Sequence, residues 1–105
     1  MINERRRYTC MPGKRDAVLD RFDRIVYPLF DRHGIEIIAF WLDGDDPDAF
    51  VYICSWRDQA HMEEVWAAFQ ADPEWVEAKA ADEAAGPTVA KIDRAILVPH
   101  ERPRP

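Results

Sequence analysis

Glu4, Arg6 and Tyr8 recur at every second position near the start of the chain, and Phe50, Tyr52, Cys54 and Trp56 do the same in its middle. Alternate side chains of a β-strand share a face, so each set forms one row. If both rows point into a subunit interface, they line a pocket. Arg6 then clamps a carboxylate or phenolate, Tyr8 and Tyr52 donate hydrogen bonds, and Trp41 and Trp56 stack on a flat substrate. The competing reading is a dimer core, in which Glu4 pairs with Arg6 or its equivalent in a second copy and the aromatic rings pack against one another. The ligand-binding candidates are therefore Arg6, Tyr8, Trp41, Tyr52 and Trp56.

No metal site is expected. The acidic turn of Asp43, Asp45, Asp46 and Asp48 is rich in oxygens, but counted from Asp43 its sixth position is Asp48 instead of glycine and its twelfth is Cys54, which excludes an EF-hand. His33, His61 and His100 are scattered, with His33 a dipole partner at a helix end and His61 a first-turn helix residue. Cys10 and Cys54 lack both the CxxC spacing and the histidine company of a zinc site. They read as small apolar residues near opposite ends of neighbouring antiparallel strands, too far apart to bridge.

At 105 residues the chain is expected to form one domain over 1–98 with an extended, proline-rich tail over 99–105. A composition of 48% apolar and 32% charged residues fits an ordinary globular protein. Fourteen Lys and Arg against twenty Asp and Glu give a net charge of -6, which opposes loose association with nucleic acid or anionic lipid. The run Arg5-Arg6-Arg7 is too short to reverse that and reads as a strand with charge on exposed positions and at a subunit edge. No apolar run approaches a bilayer span, and the opening Met-Ile-Asn-Glu-Arg-Arg-Arg lacks the apolar segment of a secretory signal, so the expected location is the cytoplasm.

The elements that must carry these residues are well punctuated. A first strand spans about Glu4 to Met11 and stops at Pro12-Gly13. A helix follows from near Lys14, with Val18, Phe22, Ile25, Val26, Leu29 and His33 as its buried stripe and Gly34 as a left-handed cap. Pro28 within it predicts a kink before Leu29, either a bend over the sheet or a hinge near a pocket. The charged residues of this helix, Arg15, Asp16, Asp20, Arg21, Asp23, Arg24, Asp31 and Arg32, read as a solvated face. Ile35 to Leu42 and Phe50 to Trp56 form a hairpin that looks buried on both faces. Asp58 starts a helix buried through Met62, Val65, Trp66 and Phe69. Asp72-Pro73 starts another to about Ala84, and a last strand runs from Val89 to Val98.

Strand, helix, strand, strand, helix pair, strand with right-handed crossovers gives an α+β, ferredoxin-like βαββαβ domain: a four-stranded antiparallel sheet with helices on one face. Each large apolar side chain left in water on the other face forgoes roughly 1.5 to 3 kcal/mol, which predicts a homodimer through the sheets.

The motifs Glu4-x-Arg6-x-Tyr8, Pro12-Gly13-Lys14, His33-Gly34 followed by Phe40-Trp41, and Asp72-Pro73-Glu74-Trp75 appear in an order that resembles the NIPSNAP family, within the dimeric α+β barrel superfamily. The resemblance covers about residues 4 to 98. It implies a subunit that dimerises sheet to sheet around a partly apolar barrel, with pockets between sheet and helices and no settled activity. The same architecture hosts cofactor-free monooxygenases, haem-degrading enzymes and small isomerases. Haem degradation in that superfamily combines a first-strand asparagine, a tryptophan ending the third strand and a helical histidine. Only Trp56 matches, since Arg6 or Tyr8 occupies the strand and no histidine follows Asp72 until the tail. The monooxygenase relatives often carry a functional histidine on the second helical region, where this chain has His61.

Two functions follow. One is a homodimeric module that binds a small molecule or a protein and needs no cofactor. The other is a cofactor-free monooxygenase- or isomerase-like enzyme for a small anionic aromatic, with Arg6, Tyr8 and His61 as catalytic candidates. Whether the chain is an enzyme stays open at this point.

Overall fold

The structure, a computed structural model, describes residues 1–101. Its elements follow in the order β1 (Ile2–Cys10), α1 (Arg15–Arg21), a π-helical turn (Phe22–Val26), α2 (Tyr27–His33), β2 (Glu36–Leu42), β3 (Ala49–Trp56), α3 (Gln59–Ala71), α4 (Pro73–Asp82) and β4 (Val89–Leu97). The four strands form one antiparallel sheet in the order β2-β3-β1-β4, so the chain is α+β with the ferredoxin-like arrangement. Pro99 to Glu101 carry no regular structure, and the rest of the expected tail, 102–105, lies outside the described residues.

The expected kink at Pro28 takes the form of a π-turn. The Tyr27 N–H donates to the Phe22 carbonyl, five residues back, and Pro28 sits in the first turn of α2. Pro28 has no N–H, so an α-helical register would leave the Arg24 carbonyl without its usual donor. The buried stripe comprises Val18, Phe22, Val26, Leu29 and Phe30, while Ile25 is half-buried and His33 lies at its edge. Gly34 ends α2 with φ 75°, the left-handed conformation that closes a helix. Asp58 and Asp72 cap α3 and α4 by accepting the N–H groups of His61 and Glu74 at 2.8 and 2.9 Å. Asp72 also accepts from Arg32 at 2.8 Å and bonds His33 at 2.7 Å, tying the end of α2 to the α3–α4 corner.

The register assigns side chains to faces. Arg6 pairs with Tyr52, Glu4 with Cys54 and Tyr8 with Phe50, and all of them are buried beneath the helices. This corrects the expectation that these rows point into a subunit interface. Alternation shows which residues share a face, but only the packing of the helices decides which face that is. Arg6 is correspondingly no exposed strand charge: β1 is an inner strand and Arg6 is 8% exposed.

The hairpin is buried on one face only. Trp41 pairs with Val51, one residue out of step with Tyr52, so it belongs to the opposite face and is 54% exposed. Ala39 and Ile53 pair on that same outer face, and the register shift at Ile38 leaves that side chain exposed while Ile37 packs on the core. Beside these apolar groups the outer face carries Arg5 and Arg7, opposite Ala95 and Asp93.

Candidate functional site

Arg6 and Tyr8 project from β1 into a cavity of about 340 Å³ between the sheet and the helical layer, within the size range of small-ligand pockets. Phe22, Phe30, Trp66, Phe69 and Trp75 form its aromatic walls, and its charged groups are Arg6, Arg21, Lys79, Lys91 and Glu83. Four cations thus face one carboxylate in a chain of net charge -6, so the cavity runs against the charge of the molecule.

Behind Arg6 lies a saturated buried network. Its Nε donates to the Tyr52 hydroxyl at 2.9 Å, its Nη1 to Glu4 Oε2 at 3.2 Å and its Nη2 to the Tyr8 hydroxyl at 3.4 Å. The guanidinium also stands 4.3 Å over the Trp66 ring, a cation–π arrangement. The two tyrosine hydroxyls are 3.2 Å apart. Glu4, 0% exposed, accepts at Oε1 from the indole N–H groups of Trp56 and Trp66 at 3.1 and 2.8 Å, and at Oε2 also from Arg94 Nε at 2.7 Å.

These donors decide the ionisation. Burial pushes the Glu4 carboxyl up, but the Trp66 N–H, the Arg6 charge and the bonds from Arg94 and Trp56 outweigh it and hold the group below its ordinary range. Burial works against the Arg6 charge as well, yet the oxygens of Tyr52, Tyr8 and Glu4 keep it firmly protonated. The Tyr52 phenol is pushed well up by burial and by Tyr8, so it stays neutral. Burial and the Glu4 charge push the Cys54 thiol up to about 12, which leaves it a poor nucleophile at neutral pH. With Glu4 against it, Arg6 brings the cavity donor geometry more than net charge.

Arg21 differs. It is 4% exposed, and its Nε and Nη1 are shut from solvent without any hydrogen-bond acceptor among the described residues. Glu83 Oε1 stands 4.0 Å from Nη1, outside hydrogen-bond range, and the guanidinium lies 5.3 Å from the centre of the Trp75 ring. An unmatched buried donor costs about 1 to 3 kcal/mol, so this arrangement leaves a charge and donors in search of an acceptor. The sequence reading assigned Arg21 to the solvated face of its helix. The available signal was its place three residues after Val18 and four before Ile25, within the apolar stripe.

The anticipated ligand-binding residues therefore divide three ways. Arg6 and Tyr8 line the cavity. Tyr52 and Trp56 are fully buried behind them, bonded to Arg6 and Glu4. Trp41 stands on the far side of the sheet. His61 lies beyond the cavity lining, its Nδ1 accepting the Arg57 N–H at 3.2 Å and its ring edge-on to Trp56. The acidic turn is held from within: Asp43 accepts the N–H groups of Asp45 and Asp46 and an Arg7 bond at 2.6 Å, which draw its carboxyl down to about 2. Among the described residues no group of three or more His, Cys, Asp or Glu is arranged to hold a metal ion. Nor, among them, is any helix long and apolar enough to cross a membrane.

The NIPSNAP family model matches residues 3–102, and the chain belongs to that family. Its fold is similar to that of an uncharacterised NIPSNAP-like domain protein from Burkholderia xenovorans, with 21% identity and a TM-score of 0.83 over 99% of this chain and 89% of that one. It is also similar to Atu4242, a NIPSNAP family protein of unknown function from Agrobacterium tumefaciens, with 20% identity and a TM-score of 0.80 over 94% and 87% of the two chains. A proposed antibiotic biosynthesis monooxygenase from Deinococcus radiodurans shares the fold at 13% identity, with a TM-score of 0.64 over 99% and 97%. At such identities the likeness is one of fold. Comparison with curated protein sequences gave no match. The chain is thus a NIPSNAP protein, similar in fold to one family member that is uncharacterised and another of unknown function.

Proposed function

We propose that this chain binds a small molecule with a flat apolar body and one anionic group in the cavity between its sheet and helices. The observation that carries this reading is Arg21, a nearly buried guanidinium with unmatched donors beside aromatic walls. Phe22, Phe30 and Phe69 offer apolar surface to the body of the ligand, while Arg6 and Tyr8 offer hydrogen bonds to a further polar group. Titration with aromatic carboxylates such as 2-naphthoate, read by calorimetry and by Trp66 and Trp75 fluorescence, tests it. Saturable binding to the native chain that is lost in Arg21→Met is the expected result. A chain that takes up 2-naphthamide as well as 2-naphthoate contradicts the anionic requirement.

The working form is a homodimer joined through the outer sheet face, supported by the exposure of Ile38, Trp41 and Leu97. We read it as a cytoplasmic protein, in keeping with its two free, buried thiols, Cys10 and Cys54.

The alternative, a cofactor-free monooxygenase or isomerase using the same site, is favoured by Tyr8. Its hydroxyl meets both Arg6 Nη2 and Tyr52 at the cavity wall, where it could pass a proton to or from an enolic or phenolic substrate. That reading requires oxygen uptake or substrate rearrangement that Tyr8→Phe abolishes without abolishing binding. Binding without turnover leaves the module reading standing.

A further inference from the structure

We propose that Glu83 is a displaceable cover over the Arg21 guanidinium, a carboxylate that an anionic guest must exchange with its own in order to bind there. The proposal rests on the anion-site reading above and names what regulates its affinity for anions. At 4.0 Å the Glu83 carboxylate is near enough to attract Arg21 and too far to satisfy its donors. The pair is therefore a loose ion pair with hydrogen bonds still to gain: Arg21 Nη1 is closed to solvent, and the Glu83 carboxylate is 4.0 Å from it.

The position of Glu83 allows it to leave. It is the capping residue just after α4, where its backbone is anchored: its N–H donates to the Lys79 carbonyl at 3.0 Å, and its carbonyl accepts the Gly86 N–H at 2.9 Å. The side chain, 22% exposed at the cavity, has this loose pair as its one polar partner among the described residues and can turn about its own torsions without moving the backbone. Lys79 precedes it by four residues, one helical turn away and also at the cavity, and so offers the departing carboxylate a second cation.

A neutral guest gains nothing from displacing Glu83, because it has no charge to give Arg21 in return. An anionic guest meets repulsion while Glu83 remains and a buried, charge-assisted hydrogen-bond partner once it has moved. Anion binding thus proceeds by exchange of one carboxylate for another, and Glu83 sets how tightly the guest must bind to win it.

Calorimetric titration of 2-naphthoate and 2-naphthamide into the native chain, Glu83→Gln and Glu83→Ala tests this. Both variants are expected to bind 2-naphthoate about tenfold more tightly than the native chain, as suits the loss of one like-charge competitor. Binding of 2-naphthamide should not change. Unchanged or weaker naphthoate binding in both variants overturns the proposal while leaving the anion site intact. If Glu83→Ala tightens both probes alike, Glu83 is only a steric plug and the exchange of carboxylates fails. If none of the three proteins binds naphthoate, it is the anion site that has failed, and the cover with it. Naphthoate bound by the variants alone supports a cover that the probe cannot displace unaided.

Discussion

At Arg21 folding and binding make opposite demands, since the donors that cost stability when unmatched are those a ligand would use. Arg21→Met, which keeps much of the volume and removes the charge, is expected to raise the melting temperature by an increment equivalent to about 1 to 3 kcal/mol while losing naphthoate binding. A differential scanning melt beside the titration measures both, and a variant that melts lower would mark Arg21 as structural. Glu4 makes the contrary case. Its oxygens serve four donors, and replacing one oxygen with an amide sets N–H groups against N–H groups. Glu4→Gln should cost about 3 to 5 kcal/mol, seen as a lower urea midpoint. The Glu4 carboxyl is held below its ordinary value of 4.5 in the folded chain. Its contribution is therefore complete above that value and disappears as pH falls through the lower folded one. Urea midpoints measured from neutrality into acid should fall less steeply below that point in Glu4→Gln than in the native chain.

Helix and strand limits were largely legible because residues with special backbone needs stand at them. Gly34 is the clearest: at φ 75°, with open space where a Cβ would project, Gly34→Ala should cost only the backbone term, about 1 to 2 kcal/mol in a thermal melt. Asp58 and Asp72 marked their helix starts for an equally local reason, the reach of a short side chain to a free N–H. The π-turn before Pro28 was less legible, since proline announces a break in the ladder without stating how the chain absorbs it. The site was half legible. Period-two spacing grouped Arg6, Tyr8 and Tyr52 correctly, but spacing has no sign and could not say whether helices or a second subunit would cover them. Arg21 and Glu83 escaped because each sits among other charges on its helix, and their pairing across 62 residues depends on how α1 and α4 meet under the sheet.

At the scale of the molecule, the outer sheet face sets the expected assembly. Trp41, Ala39, Val51 and Ile53 form its apolar part, and Arg5 and Arg7 break its continuity. Equilibrium sedimentation at micromolar concentration should return a dimer, and Trp41→Glu a folded monomer with an unchanged far-ultraviolet circular dichroism spectrum. A monomeric native chain would refute the dimer without touching the cavity, which lies on the other side of the sheet. The alternation along β1 also bears on how the chain reaches its fold. Slipping β1 by one residue would carry Glu4 to the solvent side and turn Arg5 and Arg7 beneath the helices, where Trp56 and Trp66 would have lost their acceptor. Misalignment would bury two guanidiniums without the carboxylate that makes burial tolerable, at several kcal/mol each. The Glu4 network thereby proofreads strand alignment: a strand apolar on both faces could tolerate a one-residue slip, whereas this one is penalised for any slip that exchanges its faces.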